Sequence, residues 1–212
     1  MSKPPIYWNK GKKYLARKDK VMAQLFKSYK GHLTTRNDFF FSITQSIVSQ
    51  QVSVAAASSI FSKFKKKCKG KINPKTVSKI SLTSLRRCGL SRQKARGIKS
   101  LAKKILNKSF NPKLIKDMTD EEAVIYLSSL RQIGRWSSQM ALLFCFNRQN
   151  IWPAGTPGAQ DIGLLKGISM AYKKKYPVSK KFVEKLRKKF SPYASIACWF
   201  LWRKVDSEII QY

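Results

Sequence analysis

Apolar residues recur along most of this chain at the spacing of α-helices, and strong strand-like alternation is absent. In residues 38–67 the apolar positions lie at helical spacing on both sides of the polar stretch 49–51 (SQQ), which predicts two helices separated by a tight break. Ile98, Leu101 and Ile105 form an apolar stripe in residues 92–110, and the nearly all-apolar segment 136–146 predicts a buried helix. The predicted fold class is therefore all-α, a two-lobed helical bundle.

Residues that favour helix starts stand at intervals along the chain. Thr119 and Glu122 have the spacing of a capping box, with acidic residues in the first turn. Asn73 precedes Pro74, which suits a cap followed by proline at the first helical position. Three serines are predicted to cap later helices: Ser91, Ser179 and Ser191.

Residues 126–144 (YLSSLRQIGRWSSQMALLF) predict a helix that ends near Leu130, a tight turn around Gly134, and a second helix. Such a turn directs the first N–H groups of the second helix outward, where they suit a phosphate oxygen. An ordinary helical hairpin with a glycine cap explains the pattern equally well. The candidate phosphate-binding turn consists of five residues: Arg131, Gln132, Ile133, Gly134 and Arg135.

The net charge of the chain is the strongest indication of its binding partner. Its 44 Lys and Arg residues exceed its 10 Asp and Glu residues, giving a formal net charge of +34 at pH 7. Such a field favours a polyanion, with nucleic acid first and an anionic membrane surface second. Basic clusters at 63–71 and 172–181 would neutralise phosphates, although a general preference for lysine on solvated faces remains open.

Several classes of protein fit the sequence poorly. The single histidine, His32, has no neighbouring ligand, and the cysteines form no CxxC pair, so we expect no metal site. No apolar run reaches the roughly 20 residues of a bilayer span, and the N-terminus lacks the apolar region of a secretory signal. We expect free thiols at the four scattered cysteines: Cys68, Cys88, Cys145 and Cys198.

Segment 130–144 (LRQIGRWSSQMALLF) resembles the helix-hairpin-helix motif of the HhH-GPD superfamily of DNA glycosylases. The likeness is closest to the 3-methyladenine DNA glycosylase II branch of alkylation-repair enzymes. Three further segments agree in the order of that family: 46–61 (SIVSQQVSVAAASSIF), 161–168 (DIGLLKGI) and 191–203 (SPYASIACWFLWR). The resemblance thus runs from about Phe39 to Arg203.

The resemblance implies a division into two lobes. Residues 39–150 would form a central lobe with the helix-hairpin-helix at about 121–146. Residues 1–38 and 151–212 would form a second lobe that carries a catalytic aspartate, with the active-site cleft between the two.

The resemblance also implies a base excision repair enzyme. It would bind double-stranded DNA as a monomer, flip out an alkylated purine of the 3-methyladenine kind, and hydrolyse the N-glycosidic bond to leave an abasic site. The alternative is a non-catalytic, structure-selective DNA-binding protein on the same fold. We expect no membrane association and a location with DNA, in the bacterial cytoplasm at the nucleoid or in a eukaryotic nucleus.

Asp161 is the catalytic candidate that the resemblance implies. Breaking a glycosidic bond builds positive charge on the sugar, and a fixed carboxylate beside that carbon stabilises the charge. From the residues alone, an ordinary helix cap is the simpler explanation of an aspartate at this position. The loop 154–160 separates Pro153 from Asp161 by more residues than the family pattern has, which would reshape the pocket mouth or displace the carboxylate.

The remaining site residues follow from the same resemblance. Trp136 stands where some members carry a lysine nucleophile, and because an indole forms no imine we expect no AP lyase activity. Trp136 and Trp202 would line the base pocket, where ring faces suit a cationic base. Gln51, with Gln50 beside it, would fill the gap left in the duplex. No cofactor is expected, except a monovalent cation that the family suggests at the carbonyls of Gln132–Gly134.

Overall fold

The computed structural model describes residues 3–36, 38–154 and 160–205. Within these ranges the chain forms α-helices joined by short connections and one 3₁₀ helix, with no strand, so the all-α prediction is confirmed. The α-helices are α1 (Trp8–Lys18), α2 (Lys20–Ser28), α3 (Phe39–Ser49), α4 (Val54–Lys67), α5 (Pro74–Lys79), α6 (Leu82–Arg87), α7 (Arg92–Leu106), α8 (Asp120–Ser128), α9 (Arg135–Phe144), α10 (Ile162–Tyr172), α11 (Lys180–Phe190) and α12 (Ala194–Val205), and the 3₁₀ helix is Pro112–Asp117.

Local capping chemistry accounts for where many of these helices begin. The capping box of α8 is confirmed: the Thr119 hydroxyl accepts from the Glu122 N–H at 3.3 Å, and the Glu122 carboxylate accepts from the Thr119 N–H at 2.8 Å. Asn73 caps α5 through the Thr76 N–H at 2.9 Å, with Pro74 in the first turn. These bonds satisfy amide donors that have no partner within the helix itself.

One predicted serine cap is wrong. Ser91 and Ser179 cap α7 and α11 as predicted, but Ser191 stands at the end of α11, and α12 begins only at Ala194. The Ser191 N–H still donates to the Arg187 carbonyl at 3.1 Å, so the residue completes the preceding helix. The proline that follows Ser191 also disfavours a helical conformation there.

The chain folds into two compact units. Arg36–Ala141 form one unit, and the described residues up to Thr35 and from Leu142 onward form the other. The observed boundaries thus differ from the predicted ones, which lay after residues 38 and 150. The unit Arg36–Ala141 contains α3 to α8, and α9 runs across its end.

Helix α12 is the central helix of the unit formed by the two ends of the chain. Every residue of Ala194–Trp202 is buried, including Ser195 on an otherwise apolar surface. The helix packs against α1, α2, α10 and α11. None of the helices in the described part of the chain combines the length and the apolar character that crossing a membrane requires.

Helices α10 and α12 approach so closely that only glycine fits at their contact. A Cβ atom placed on Gly167 would lie 2.2 Å from the carbonyl oxygen of Leu201 and 2.8 Å from its carbonyl carbon. Since both atoms belong to the backbone of α12, no side-chain rotation would relieve the overlap. The missing side chain at Gly167 thus sets the spacing of these two helices.

We expect Gly167→Ala to lower the free energy of unfolding by about 1–3 kcal/mol or more, the usual effect of overpacking a closed contact. Alanine has the higher helix propensity, by about 1 kcal/mol, so a loss would be due to packing. Denaturant unfolding followed by circular dichroism measures the change. Gly134→Ala is the control, because a Cβ there meets no atom within 4 Å. Equal stability of Gly167→Ala and the wild type would contradict this account of the helix contact.

Candidate active site

Asp161 stands at the N-terminus of α10 and is 6% exposed. Its Oδ1 accepts from the Leu164 N–H at 2.6 Å, which makes it the N-cap of the helix. The helix-cap role that the residues alone suggested for Asp161 is therefore confirmed. Capping does not explain the burial, however, because most N-cap residues of the described helices are exposed.

The indole of Trp202 supplies a second donor to the same carboxylate. Trp202 Nε1 donates to Asp161 Oδ1 at 2.9 Å, and the two residues lie 41 positions apart. The Trp202 ring stacks on Phe144 with centroids 6.0 Å apart and an interplanar angle of 19°, so the donor has a fixed direction. Gly163 makes room for the pair, since a Cβ there would lie 3.2 Å from Asp161 Oδ1.

The same face of α12 holds the chain segment that leads to the loop before Asp161. Ser195 Oγ accepts from the Ile151 N–H at 2.9 Å and donates to the Arg148 carbonyl at 2.5 Å. Cys198 Sγ donates to the Ile151 carbonyl at 3.4 Å. Ser195, Cys198 and Trp202 recur at the spacing of one helix face. One surface of α12 therefore positions both the carboxylate and the chain that precedes it.

The loop before Asp161 is closed at its base. The Asp161 N–H donates to the Pro153 carbonyl at 2.8 Å, and Trp152 and Ala154 beside it are buried. Residues 155–159 of the predicted loop 154–160 lie outside the described residues. The long connection leaves Asp161 in place as the cap of α10.

The pKa of the buried Cys198 thiol is affected by the negative charge of Asp161. Burial raises the pKa of the Cys198 thiol well above its ordinary value, and the negative charge of Asp161 raises it further. A raised thiol pKa keeps the sulfur protonated at neutral pH. The thiol therefore serves as a neutral hydrogen-bond donor and is no candidate nucleophile.

The hairpin turn, residues 131–135, connects α8 to α9 and is fixed by apolar residues. Leu130 and Ile133 are buried, and the Ile133 N–H donates to the Leu130 carbonyl at 3.1 Å. Arg131 and Gly134 are exposed between them. The Ile133 side chain thus belongs to the core, and only its backbone is available to a ligand.

Gln132 lies in the middle of the hairpin turn in a strained backbone conformation. It adopts φ +69°, a left-handed conformation that favours glycine and costs other residues about 1 kcal/mol or more. Gln50 Nε2 donates to the Gln132 carbonyl at 2.9 Å and to Ser137 Oγ at 3.3 Å. Gly97 of α7 accommodates the side chain, since a Cβ there would lie 2.7 Å from Gln132 Cγ.

Arg135 already has an acidic partner. Its guanidinium forms a two-pronged ion pair with Glu121 of α8, at 2.7 Å from Nη1 and 2.6 Å from Nη2. This hydrogen bonding lowers the pKa of Glu121 and raises that of Arg135. The charge of Arg135 is therefore partly compensated, whereas Arg131 is the exposed cation of the turn.

Two carbonyls of the hairpin turn already accept hydrogen bonds within the protein. The Gln132 carbonyl accepts from Gln50, and the Gly134 carbonyl accepts from the Ser138 N–H at 2.9 Å and from Ser138 Oγ at 3.0 Å. An ion held by Gln132–Gly134 would share the Gln132 and Gly134 oxygens with these donors. A cation at this turn remains a prediction.

The predicted site residues form two local groups. Asp161 and Trp202 are in direct contact, and Gln50 contacts the hairpin turn. Gln51 is exposed beside Gln50 with φ +53°, and Trp136 lies half-buried in the first turn of α9. Across the described ranges, His, Cys, Asp and Glu form no group of three that could hold a metal ion.

Sequence reasoning missed Lys94, Gly97 and Glu121. Lys94 Nζ donates to the carbonyls of Val48 and Gln50, at 2.9 Å and 2.5 Å. A glycine inside a helical pattern signals close packing, so Gly97 could have been found. For Lys94 and Glu121 no local signal exists, because their partners lie in other helices or turns, 14 positions away for Glu121 and 44 and 46 positions away for Lys94.

We expect Trp202→Phe to lower the free energy of unfolding by about 2 kcal/mol, the usual contribution of a buried hydrogen bond to a charged group. Phenylalanine keeps the ring stacked on Phe144 but removes the donor to Asp161. Trp152→Phe is the matched control, because the Trp152 Nε1 is buried without an acceptor and its loss removes no hydrogen bond. Guanidinium unfolding of both variants measures the difference. Equal losses would show that the Trp202 hydrogen bond contributes no stability.

Comparison with known proteins identifies the family to which this chain belongs. A model of HhH-GPD superfamily base excision DNA repair proteins matches residues 44–192. The alkylbase DNA glycosidase-like protein mag2 of Schizosaccharomyces pombe is 33% identical over 169 residues, which cover 76% of this chain and 75% of that protein. DNA-3-methyladenine glycosylase 1 of the same yeast is 27% identical over 164 residues, covering 76% and 70%.

Solved structures agree on the fold. The S. pombe 3-methyladenine DNA glycosylase in complex with abasic DNA superposes with a TM-score of 0.77 at 24% identity, covering 92% of this chain and 95% of that one. The matched residues 44–192 include the hairpin turn and Asp161. The chain therefore belongs to the HhH-GPD superfamily of base excision DNA repair proteins.

Proposed function

We propose that this protein is a monofunctional DNA glycosylase that removes alkylated purines from duplex DNA and leaves an abasic site. The observation that carries the proposal is the Asp161 carboxylate, which is buried, caps α10 and accepts a hydrogen bond from Trp202. The relatives named as 3-methyladenine glycosylases support the class of substrate.

The chemistry requires one fixed negative charge. As the bond between the base and the sugar breaks, the sugar becomes oxocarbenium-like, and a nearby carboxylate stabilises its positive charge. The same carboxylate orients or deprotonates the water that attacks the sugar carbon. A purine alkylated on the ring already carries positive charge, so it leaves with little protonation and a second acidic residue is unnecessary.

The surroundings of Asp161 suit this role. Two N–H donors and the positive end of the α10 dipole stabilise the ionised carboxylate. Both donors bind Oδ1, so the direction of the carboxylate is set before a substrate arrives. Charge in a site of low dielectric acts on a transition state more strongly than charge in water.

Trp136 makes AP lyase chemistry unavailable at its position. A lyase of this superfamily forms a Schiff base through a lysine amine, and an indole nitrogen forms none. Trp136 instead offers a half-buried ring at the start of α9, and we assign this ring to stacking against the everted base. Trp202, although it was expected in the same pocket, uses its indole N–H to orient Asp161.

We assign binding of the DNA phosphate backbone to the hairpin turn. The exposed Gly134 directly precedes α9, and helix N-termini bind phosphate through their amides. The fold does not need glycine here, since a Cβ would meet no atom within 4 Å. Close approach of a ligand to the backbone is a reason for glycine where packing supplies none.

We expect Asp161→Asn to lower the rate of base release by about 100-fold or more. Asparagine keeps the side-chain oxygen that accepts from Leu164 and Trp202, but it removes the charge. The assay is a single-turnover reaction on duplexes with 3-methyladenine or 7-methylguanine, followed by alkali to reveal abasic sites. Asp19→Asn is the matched control, because Asp19 is likewise a buried helix cap and we expect it to keep base release.

Each outcome of this assay has a definite meaning. Equal release by wild type and Asp161→Asn would remove Asp161 from the reaction. Binding without release by the wild type would favour the non-catalytic DNA-binding protein on the same fold. Strand cleavage before alkali would contradict the absence of lyase activity.

We expect Gly134→Ala to weaken binding about tenfold to both damaged and undamaged duplexes, since phosphate contacts carry no sequence information. The added methyl group would separate the phosphate from the backbone without disturbing the fold. Fluorescence anisotropy with labelled duplexes measures both affinities. Unchanged affinity with unchanged thermal stability would show that the turn does not bind the strand.

A further inference from the structure

Helix α7 carries a lysine that binds the end of another helix. Lys94 Nζ donates to the carbonyl oxygens of Val48, at 2.9 Å, and Gln50, at 2.5 Å. Val48 lies in the last turn of α3, and Gln50 is its C-cap. The ends of helices leave carbonyls without partners, and a lysine ammonium satisfies them. Lys94 thus uses its charge within the protein.

The residue that Lys94 holds is also bonded to the hairpin turn. The Gln50 side chain donates from Nε2 to the Gln132 carbonyl at 2.9 Å and to Ser137 Oγ at 3.3 Å. Gln50 therefore joins two turns that lie 82 residues apart in the sequence. These are the α3–α4 turn, residues 50–53, and the hairpin turn.

A second residue of α7 touches the same assembly. Gly97 follows Lys94 by one helical turn and faces Gln132 so closely that a Cβ would lie 2.7 Å from Gln132 Cγ and 3.2 Å from the Arg131 carbonyl. One face of α7 thus contacts the α3–α4 turn through Lys94 and the hairpin turn at Gly97.

Gln51 is the residue that this arrangement presents outward. It is exposed, adopts φ +53°, and is followed by Val52, which is 39% exposed. A residue other than glycine persists in a left-handed conformation only where its surroundings fix it. Here Gln50, directly before it, is held by Lys94 through its carbonyl and by the hairpin turn through its side chain.

We propose that Lys94 is a positioning residue for DNA binding, which fixes the α3–α4 turn to the hairpin turn so that Gln51 enters the duplex while the hairpin grips the strand. Gln50 is then a structural link and Gln51 alone fills the gap in the duplex. The inference rests on the proposed glycosylase function, since it assumes that the protein opens a base pair.

The chain offers a matched control on the same helix. Lys99 Nζ donates to the carbonyls of Ser78 and Ile80, at 3.0 Å and 2.5 Å, at the end of α5. Lys94→Met and Lys99→Met each remove one charge and two hydrogen bonds to carbonyls at the end of a helix. Only Lys94→Met loosens the α3–α4 turn.

The experiment measures insertion directly. A duplex carries a stable abasic-site analogue with 2-aminopurine opposite it, whose fluorescence changes when a side chain enters the gap. We expect Lys94→Met to reduce this change and to lower the preference for abasic over undamaged duplex by about tenfold, equivalent to about 1.4 kcal/mol. Lys99→Met should behave as the wild type in both measurements.

A double-mutant cycle tests the route of the effect. Gln51→Ala should reproduce the Lys94→Met defect, and the double variant should lose little more, because both changes remove the same insertion. Full additivity would overturn the proposal. A phosphate contact by Lys94 is the competing explanation, and it predicts equally weaker binding to undamaged duplex with a salt dependence reduced by about one charge.

Failure of the inference and failure of the proposed function give different results. The abasic duplex requires no base release, so an inactive wild type that still shows the fluorescence change leaves the role of Lys94 intact. Equal defects in Lys94→Met and Lys99→Met, or no defect in either, would overturn that role. A wild type without any fluorescence change would overturn it too, because nothing would then be inserted.

Discussion

The hydrogen bond between the Trp202 indole and the Asp161 carboxylate is the contact on which the candidate active site depends. A buried carboxylate is costly unless donors compensate it, and here the donors come from two different helices. The α10 backbone provides one through Leu164, and α12 provides the other. They converge because Gly167 lets the two helices approach to backbone contact. The position of the charge is therefore a property of helix packing, and the packing is set by a missing side chain.

In the unit Arg36–Ala141 a glycine likewise allows two parts of the chain to approach closely. There a glycine of α7 admits the hairpin turn, and polar side chains bind backbone carbonyls across long sequence separations. In both units a site is fixed by hydrogen bonds to side chains of a buried or half-buried helix. Asp161, Gln51 and Gly134 lie in turns or at helix ends, and the packed helices determine where these residues stand.

Features that depend on sequence neighbours could be predicted from the chain. The capping box of Thr119, the cap at Asn73 and the all-α class are of this kind, and Asp161 was found as a cap and, by resemblance, as the catalytic candidate. Ser191 failed because the preceding helix extends to it. The partners of Lys94 lie 44 and 46 residues away. No local pattern encodes such a pair, since it exists only once distant helices have packed.

The bond from the Asp161 N–H to the Pro153 carbonyl has a consequence for how this protein can change over time. A loop whose two ends are tied together can gain or lose residues at a small entropic cost, without moving what lies beyond the tie. A change in the number of residues between Pro153 and Asp161 would therefore leave Asp161 in place at the start of α10. Insertions and deletions could then accumulate in this connection during evolution while the contact between α10 and α12 is preserved.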